Sequence, residues 1–424
     1  MSANHPLAKP VIISTAIAAI AAVVWFAFLK PAPVYTNSNV VFIVLDTTRA
    51  DKLQPYGYDR RKTSPNLNDF AEKSALFESA YSHSPWTKPS VASMFTSLLP
   101  RDHGIFDWPM KLSEELLTLP EHLNESGFHT QAHISHHAFR PKDTNFRQGF
   151  AKYDKSVLEK GSPHEVTSSK EITDRGIRFL NNRPEGRFFL WLHYFDPHRD
   201  YIRHEDFDFG KGPKSRYDSE IAFMDHHLGR LFDELEDGDH LEDTIVVIVA
   251  DHGEGLGDHG IKKHTKALYE QQIHVPLIIH VPGMKGARHA QTVPLIDLAP
   301  TLTNLLGLST PDAFKGQAIA YDNGFVLGES RPVISETRRF ADLRSVVHDG
   351  WKLIEDQETS EQLLYHVAED PKERVNLATE QPERLAALSA LLEAYKAKPE
   401  RKADSKALAP DMEDALKSLG YMEE

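Results

Sequence analysis

A chain of 424 residues is long enough for a large core and a second, smaller subdomain. Its 48 Lys+Arg against 62 Asp+Glu give a net charge of −14, which disfavours a nucleic-acid backbone as partner. The absence of cysteine excludes disulfide frameworks, thiolate zinc sites and thiol nucleophiles, while 23 histidines keep imidazole-ligated metal within reach.

In chain order the first feature is VIISTAIAAIAAVVWFAFL (11–29), an uncharged run flanked by Lys9 and Lys30. Its length at the helical rise matches the hydrocarbon core of a bilayer. The bulky WFAFLK end lacks a small-x-small cleavage site, so the run reads as an uncleaved transmembrane anchor rather than a signal peptide. Residues 1–10 then form a short cytoplasmic tail and 30–38 a linker. The catalytic body is expected to face the periplasm or the cell exterior.

From Asn39 apolar runs alternate with amphipathic ones. NVVFIVLD (39–46), RFFLWLHYFD (187–196), DTIVVIVAD (243–251) and VPLIIHVPG (275–283) read as strands apolar on both faces, as in a parallel sheet covered by helices. Helical spacing marks NLNDFAEKSALFESAY (66–81), SKEITDRGIRFLNN (169–182) and SEIAFMDHHLGRLFDELE (219–236). The expected fold class is α/β, a three-layer core over 39–330 with a mostly parallel sheet. LRSVVHDGWKLIE (343–355) and EQLLYHVAEDPKERVNL (361–377) predict a small antiparallel sheet, followed by a helix over 382–397. These make a C-terminal subdomain over 331–397, and the charged tail 398–424 is expected to attach loosely apart from ALKSLGY.

Ligands of such sheets gather beyond the carboxyl ends of the strands. Asp46, Asp196 and Asp251 each stand where a strand stops, and like charges converging there need cations. In ADHGEGLGDHG (250–260) the carboxylate of Asp251 beside the imidazole of His252 suits zinc or manganese better than calcium. Asp46 either completes that site or caps the next helix. His264 adds an imidazole, whereas His259 reads as a loop histidine. In FDPHRDY (195–201), His198 either contacts an oxyanion, joins Asp196 and His264 at a second metal, or is an exposed turn residue. In SPWTKPSVASMFTSLLPRDHG (84–104), Pro89 suits a first helical turn, which puts Thr87 at a helix N-terminus. Thr87 is there a cap or a metal-activated nucleophile. Arg49 buttresses the Asp46 loop or meets substrate charge, and Lys88 neutralises a substrate oxygen or is merely exposed.

Together these segments resemble the alkaline phosphatase superfamily, in its sulfatase-like branch. The likeness runs from NVVFIVLDTTRAD through SPWTKPSVASMFTSLLPRDHG, FLWLHYFDPHRDY and VVIVADHGEGLGDHG to the C-terminal DGWKLI…EQLLYHVAEDPKERVNLA. It implies a divalent metal, zinc or manganese before calcium or magnesium, at Asp46, Asp251 and His252, with Thr87 touching it as nucleophile. His198 or His264, with the helix N-terminus, would bind the transferred group's oxygens, and a second, weaker metal at Asp196, His198 and His264 is left open. Asp297 resembles a structural position and is excluded.

The departures sharpen the expectation. Sulfatases carry Cys or Ser in C/S-x-P-x-R, oxidised to formylglycine, whereas TKPSV puts Thr87 and Val91 there. Oxidised threonine would be a ketone, not the required aldehyde. Thr47 stands for a second Asp, His252 for Asn, and His264/Thr265 for a lysine. Thr nucleophile, Asp-His pair and later His are typical of the superfamily's phosphoryl-transfer members. The expected function is therefore a hydrolase or transferase of envelope phosphate esters, working through a phosphothreonine. The rivals are a sulfatase lacking formylglycine and an inactive envelope binding protein. Substrate identity and oligomeric state are not legible in the sequence.

Overall fold

Eight strands form the central sheet of the structure, a computed structural model that describes residues 35–140, 144–159, 167–198 and 200–405. They are β1 (Asn39–Leu45), β2 (Ala75–Tyr81), β3 (His129–His133), β4 (Lys152–Asp154), β5 (Phe188–Tyr194), β6 (Thr244–Ala250), β7 (His274–His280) and β8 (Ala287–Pro294). Their order is β4-β3-β5-β1-β6-β7-β2-β8, and β7 alone runs against its neighbours. β1, β5 and β6 are buried throughout, as continuous apolar runs in the middle of a covered sheet must be.

Helices cover both faces. α1 (Pro65–Glu72) and α4 (Ser169–Asn181) pack on the long α5 (Pro213–Asp237), while α2 (Thr87–Thr96) lies on the opposite side with Phe95 edge-on to Trp191 of β5. α3 (Leu119–Glu125) opens with a capping box from Thr118 to Glu121, and α6 (Leu298–Leu305) follows β8. The three-layer α/β expectation holds.

Two local expectations do not. The segment 66–81 is not one helix: α1 stops at Glu72 and β2 follows. Its apolar residues fit either period, and pairing of Ala75–Phe77 with both β7 and β8 decides for strand. The apolar run at 275–283 is a strand, but antiparallel. After β6 the chain lays residues 251–269 over the carboxyl edge and re-enters the sheet from that same edge. A parallel strand would have needed a crossover to the other end.

Two short strands, β9 (Ala320–Tyr321) and β10 (Phe325–Val326), pair before the C-terminal unit. That unit is an antiparallel sheet of β11 (Val333–Thr337), β12 (Leu343–His348), β13 (Trp351–Asp356) and β14 (Gln362–His366). One face packs on Tyr81, Leu268 and Ile273 of the main core, the other on α7 (Pro382–Lys396) through Leu388, Leu392 and Tyr395. The tail is better attached than expected as far as Ser405: Arg401 donates to the Arg101 carbonyl, and Ser405 bridges to Met110. ALKSLGY and the expected anchor at 11–29 lie outside the described residues; among the described residues no helix is long and apolar enough to cross a membrane.

Candidate active site

Strand register builds the floor of the site. Leu45 pairs in parallel with Ala250, so Asp46 and Asp251 leave the sheet side by side. Val44 pairs with His193, which puts the His193 side chain on the face that also carries Asp46, one pleat earlier. Glycine is required just after His252, because a Cβ on Gly253 would stand 2.1 Å from the Gln271 carbonyl oxygen. Thr47 takes a left-handed φ of 52°, unusual for a β-branched residue, and the Tyr217 hydroxyl donates to its carbonyl at 2.7 Å.

α2 closes the site from above. Its N-cap is Trp86, and Thr87 is the first helical residue, with no side-chain cap bond at this end. The Thr87 hydroxyl instead points into the cluster, 3.2 Å from His252 Nε2. The Ser90 hydroxyl donates to the Asp251 carbonyl at 2.6 Å and ties the first turn to the end of β6.

Asp46, Thr87, His193, Asp251 and His252 are all 0% exposed. Asp251 Oδ1 accepts from the backbone N–H groups of Thr47 and His252, at 3.2 and 2.9 Å. Asp251 Oδ2, both oxygens of Asp46 and His193 Nε2 have no hydrogen-bond partner. Burial, reinforced by Asp251 and Glu254, pushes Asp46 well above the usual carboxylate range, and burial carries Asp251 to about 7. His252 is driven the other way by burial and stays neutral. Orphaned carboxylate oxygens facing a neutral imidazole fit a divalent cation, whose charge supplies what the protein does not. Atoms of Asp46, His193 and Asp251 lie within 4.8 Å of one another, and no second such group occurs among the described residues.

The remaining expected residues divide. His264 is buried beside His252, with ring centroids 4.6 Å apart, and its Nδ1 lies 3.3 Å from each oxygen of Glu254. His198 packs edge-on against His264 at 5.0 Å. Asp196, expected at a second metal, is turned away: its carboxylate accepts from the backbone and hydroxyl groups of Ser168 and Ser169 at the start of α4. Lys88, expected to meet substrate, is fully buried and donates to the Trp108 and Met110 carbonyls. Arg49 pairs with Asp51 at 2.7 Å and Asp258 at 2.8 Å. His259 is exposed and stacks on Tyr269, and Asp297 pairs with Arg331 and the Gln317 backbone.

Sequence reasoning missed His193, Ser135, Glu254 and His136, whose ring lies 5.5 Å from that of His198. Each had a signal: a lone imidazole inside the apolar run of β5, a Ser-His pair just past β3, and an acid two residues beyond His252. Glu254 is 0% exposed, and burial lifts it to about 7.

A family model described as Sulfatase matches residues 38–308. The chain belongs to the sulfatase family. This places it in the alkaline phosphatase superfamily as a sulfatase-family hydrolase, and enzymes of the family use a divalent metal ion. It is 24% identical to an uncharacterized sulfatase, YidJ, of Escherichia coli K12, over 80% of this chain and 82% of that one. A choline-sulfatase of Rhizobium meliloti is equally similar, at 24% over the same shares. Among solved structures, the phosphonate monoester hydrolase of Agrobacterium radiobacter superposes with a TM-score of 0.69 at 19% identity, over 85% of this chain and 95% of that one.

Proposed function

We propose that this sulfatase-family protein cleaves phosphate esters with Thr87 as nucleophile. The observation that carries the reading is the direction of the Thr87 hydroxyl. It stands at a helix N-terminus yet caps nothing, and it lies 3.2 Å from His252 Nε2. A threonine cannot supply the aldehyde hydrate of formylglycine chemistry, but its alcohol can attack phosphorus.

A divalent cation at Asp46, Asp251 and His252 would supply neutralising charge for the phosphoryl oxygens and lower the pKa of the attacking alcohol. The chain does the rest. Thr87 Oγ, its proton released to solvent, forms a bond to phosphorus as the bond to the ester oxygen breaks. His264, oriented through Nδ1 by Glu254, faces this centre and gives the departing oxygen a proton. The first-turn amides of α2 and His198 would hold the remaining oxygens. Water then cleaves the phosphothreonine and restores Thr87. The segment 11–29 would tether this body at the envelope, with phosphate esters there as substrates.

A sulfuric ester is the second reading, favoured by the sulfatase names of the relatives. One assay separates the two: aryl phosphate mono- and diesters and an aryl sulfate, offered to the metal-loaded chain and to Thr87→Ala. Phosphoester turnover lost in Thr87→Ala is the expected result. Turnover of sulfate alone would overturn the proposal.

A further inference from the structure

We infer that His193 is a fourth protein ligand of the metal site, and that the resulting two-imidazole, two-carboxylate set selects a borderline transition ion over calcium. The inference rests on the metal-dependent reading above. It concerns a residue that neither the strand-end motifs nor the family match points to.

The argument is one of tautomers. The Ser135 hydroxyl donates its only proton to the His193 carbonyl oxygen, which can only accept. Ser135 Oγ also lies 3.2 Å from His193 Nδ1, and with its proton committed it can only accept there. Nδ1 therefore carries the imidazole proton and Nε2 a bare lone pair. That lone pair faces Asp46 Oδ2 at 3.4 Å, where neither atom has a hydrogen-bond partner.

His252 is held in the same way. Its Nδ1 lies 2.8 Å from the Gly253 carbonyl oxygen, so Nδ1 bears the proton and Nε2 the lone pair. This second lone pair stands 3.7 Å from Asp46 Oδ1 and 3.5 Å from Asp251 Oδ2. Two lone pairs and two carboxylates thus converge in a space with no exposed atom. With both carboxylates ionised and no cation between them, such an arrangement is repulsive at every edge. Ligand atoms bonded at about 2.0–2.1 Å near a tetrahedral angle lie roughly 3.3–3.4 Å apart, a little closer than the 3.4, 3.7 and 3.5 Å here, and the Thr87 hydroxyl, 3.2 Å from His252 Nε2, stands where a fifth ligand would. The two carboxylates, one negative charge each, balance one divalent ion.

The donor set also chooses the ion. Calcium takes oxygen ligands, six to eight of them as a rule, and imidazole suits zinc and its neighbours. The hydrogen bond that His193 Nδ1–H donates to Ser135 Oγ fixes the ring in the way that ligating histidines are usually fixed.

The test uses cobalt(II), zinc and calcium as probes, titrated calorimetrically into the metal-free full chain and into His193→Ala. The visible absorption of the cobalt forms is recorded alongside. The expected result is cobalt and zinc binding well ahead of calcium, with affinity falling about 10- to 100-fold or more in His193→Ala and the cobalt bands changing in position and intensity. Unchanged affinity and bands, or a wild type that prefers calcium, would overturn the inference. Should His193→Ala not fold, X-ray absorption of the zinc-loaded wild type decides: two imidazoles support it and one refutes it. Cobalt binding that depends on His193 in a chain without phosphoester turnover would remove the proposed reaction and leave the ligand. Turnover with metal bound equally in His193→Ala would do the reverse.

Discussion

The Thr87 hydroxyl and His252 Nε2 lie 3.2 Å apart, across the seam between the first turn of α2 and the loop that follows β6. A residue at a helix start is ordinarily a cap. Here the seam gives it a different partner, and the two roles make different predictions.

Replacing Thr87 with alanine should lower kcat by about a thousandfold or more, as removal of a nucleophile does. Thr87→Ser, which keeps the alcohol, should retain measurable turnover. Because Thr87 makes no capping bond, thermal unfolding should show little of the roughly 1 kcal/mol that a lost cap costs. A large drop in melting temperature with activity preserved would return Thr87 to a structural role.

Lys88 gives the opposite pattern. Its ammonium is buried on the Trp108 and Met110 carbonyls, so Lys88→Met leaves both acceptors without their donor. The expected cost is about 2–4 kcal/mol of stability, read in a denaturant titration, with KM unchanged in the fraction that folds. A selective rise in KM at full stability would show instead that Lys88 meets substrate.

A second buried charge joins the two sheets. Lys352 of β13, fully buried, pairs with Glu270 at 3.0 Å and with Glu373 at 2.9 Å, and the Tyr81 hydroxyl donates to Glu270 at 2.9 Å. Lys352→Met strands two buried carboxyls and should cost about 3–5 kcal/mol. Limited proteolysis should then cut first around the C-terminal sheet.

Asp225 predicts a pH dependence remote from the metal. It accepts from the Asn66 and Leu67 backbone at the start of α1, and burial lifts its pKa from 3.8 to about 6. A folded-state pKa above the unfolded one means that its contribution is complete below about pH 3.8 and is lost as pH rises through 6. The change is on the order of 2–3 kcal/mol. In Asp225→Asn the stability curve between pH 4 and 6 should be flatter by that amount, as chemical unfolding at a series of pH values would show.

What the sequence could reveal was set by local pattern. Continuous apolar runs ending in Asp46 and Asp251 implied buried strands with acids at one edge, and parallel pairing of Leu45 with Ala250 makes that edge a single place. The helix beginning near Pro89 and the Asp-His pair were legible for the same reason. Tertiary structure decided everything that depends on a partner far along the chain. Asp196 looked like its counterparts at the strand ends, but Ser168 and Ser169, nearly thirty positions earlier, take up its carboxylate. Lys88 looked exposed until the 108–110 segment closed over it. His193 looked like one more residue of an apolar strand. Side chains alternate along a strand, so only register against β1 shows which face it joins, and only Ser135 from another strand end shows which nitrogen is bare. A sequence fixes which donors a chain owns. The direction in which each one points is fixed by packing.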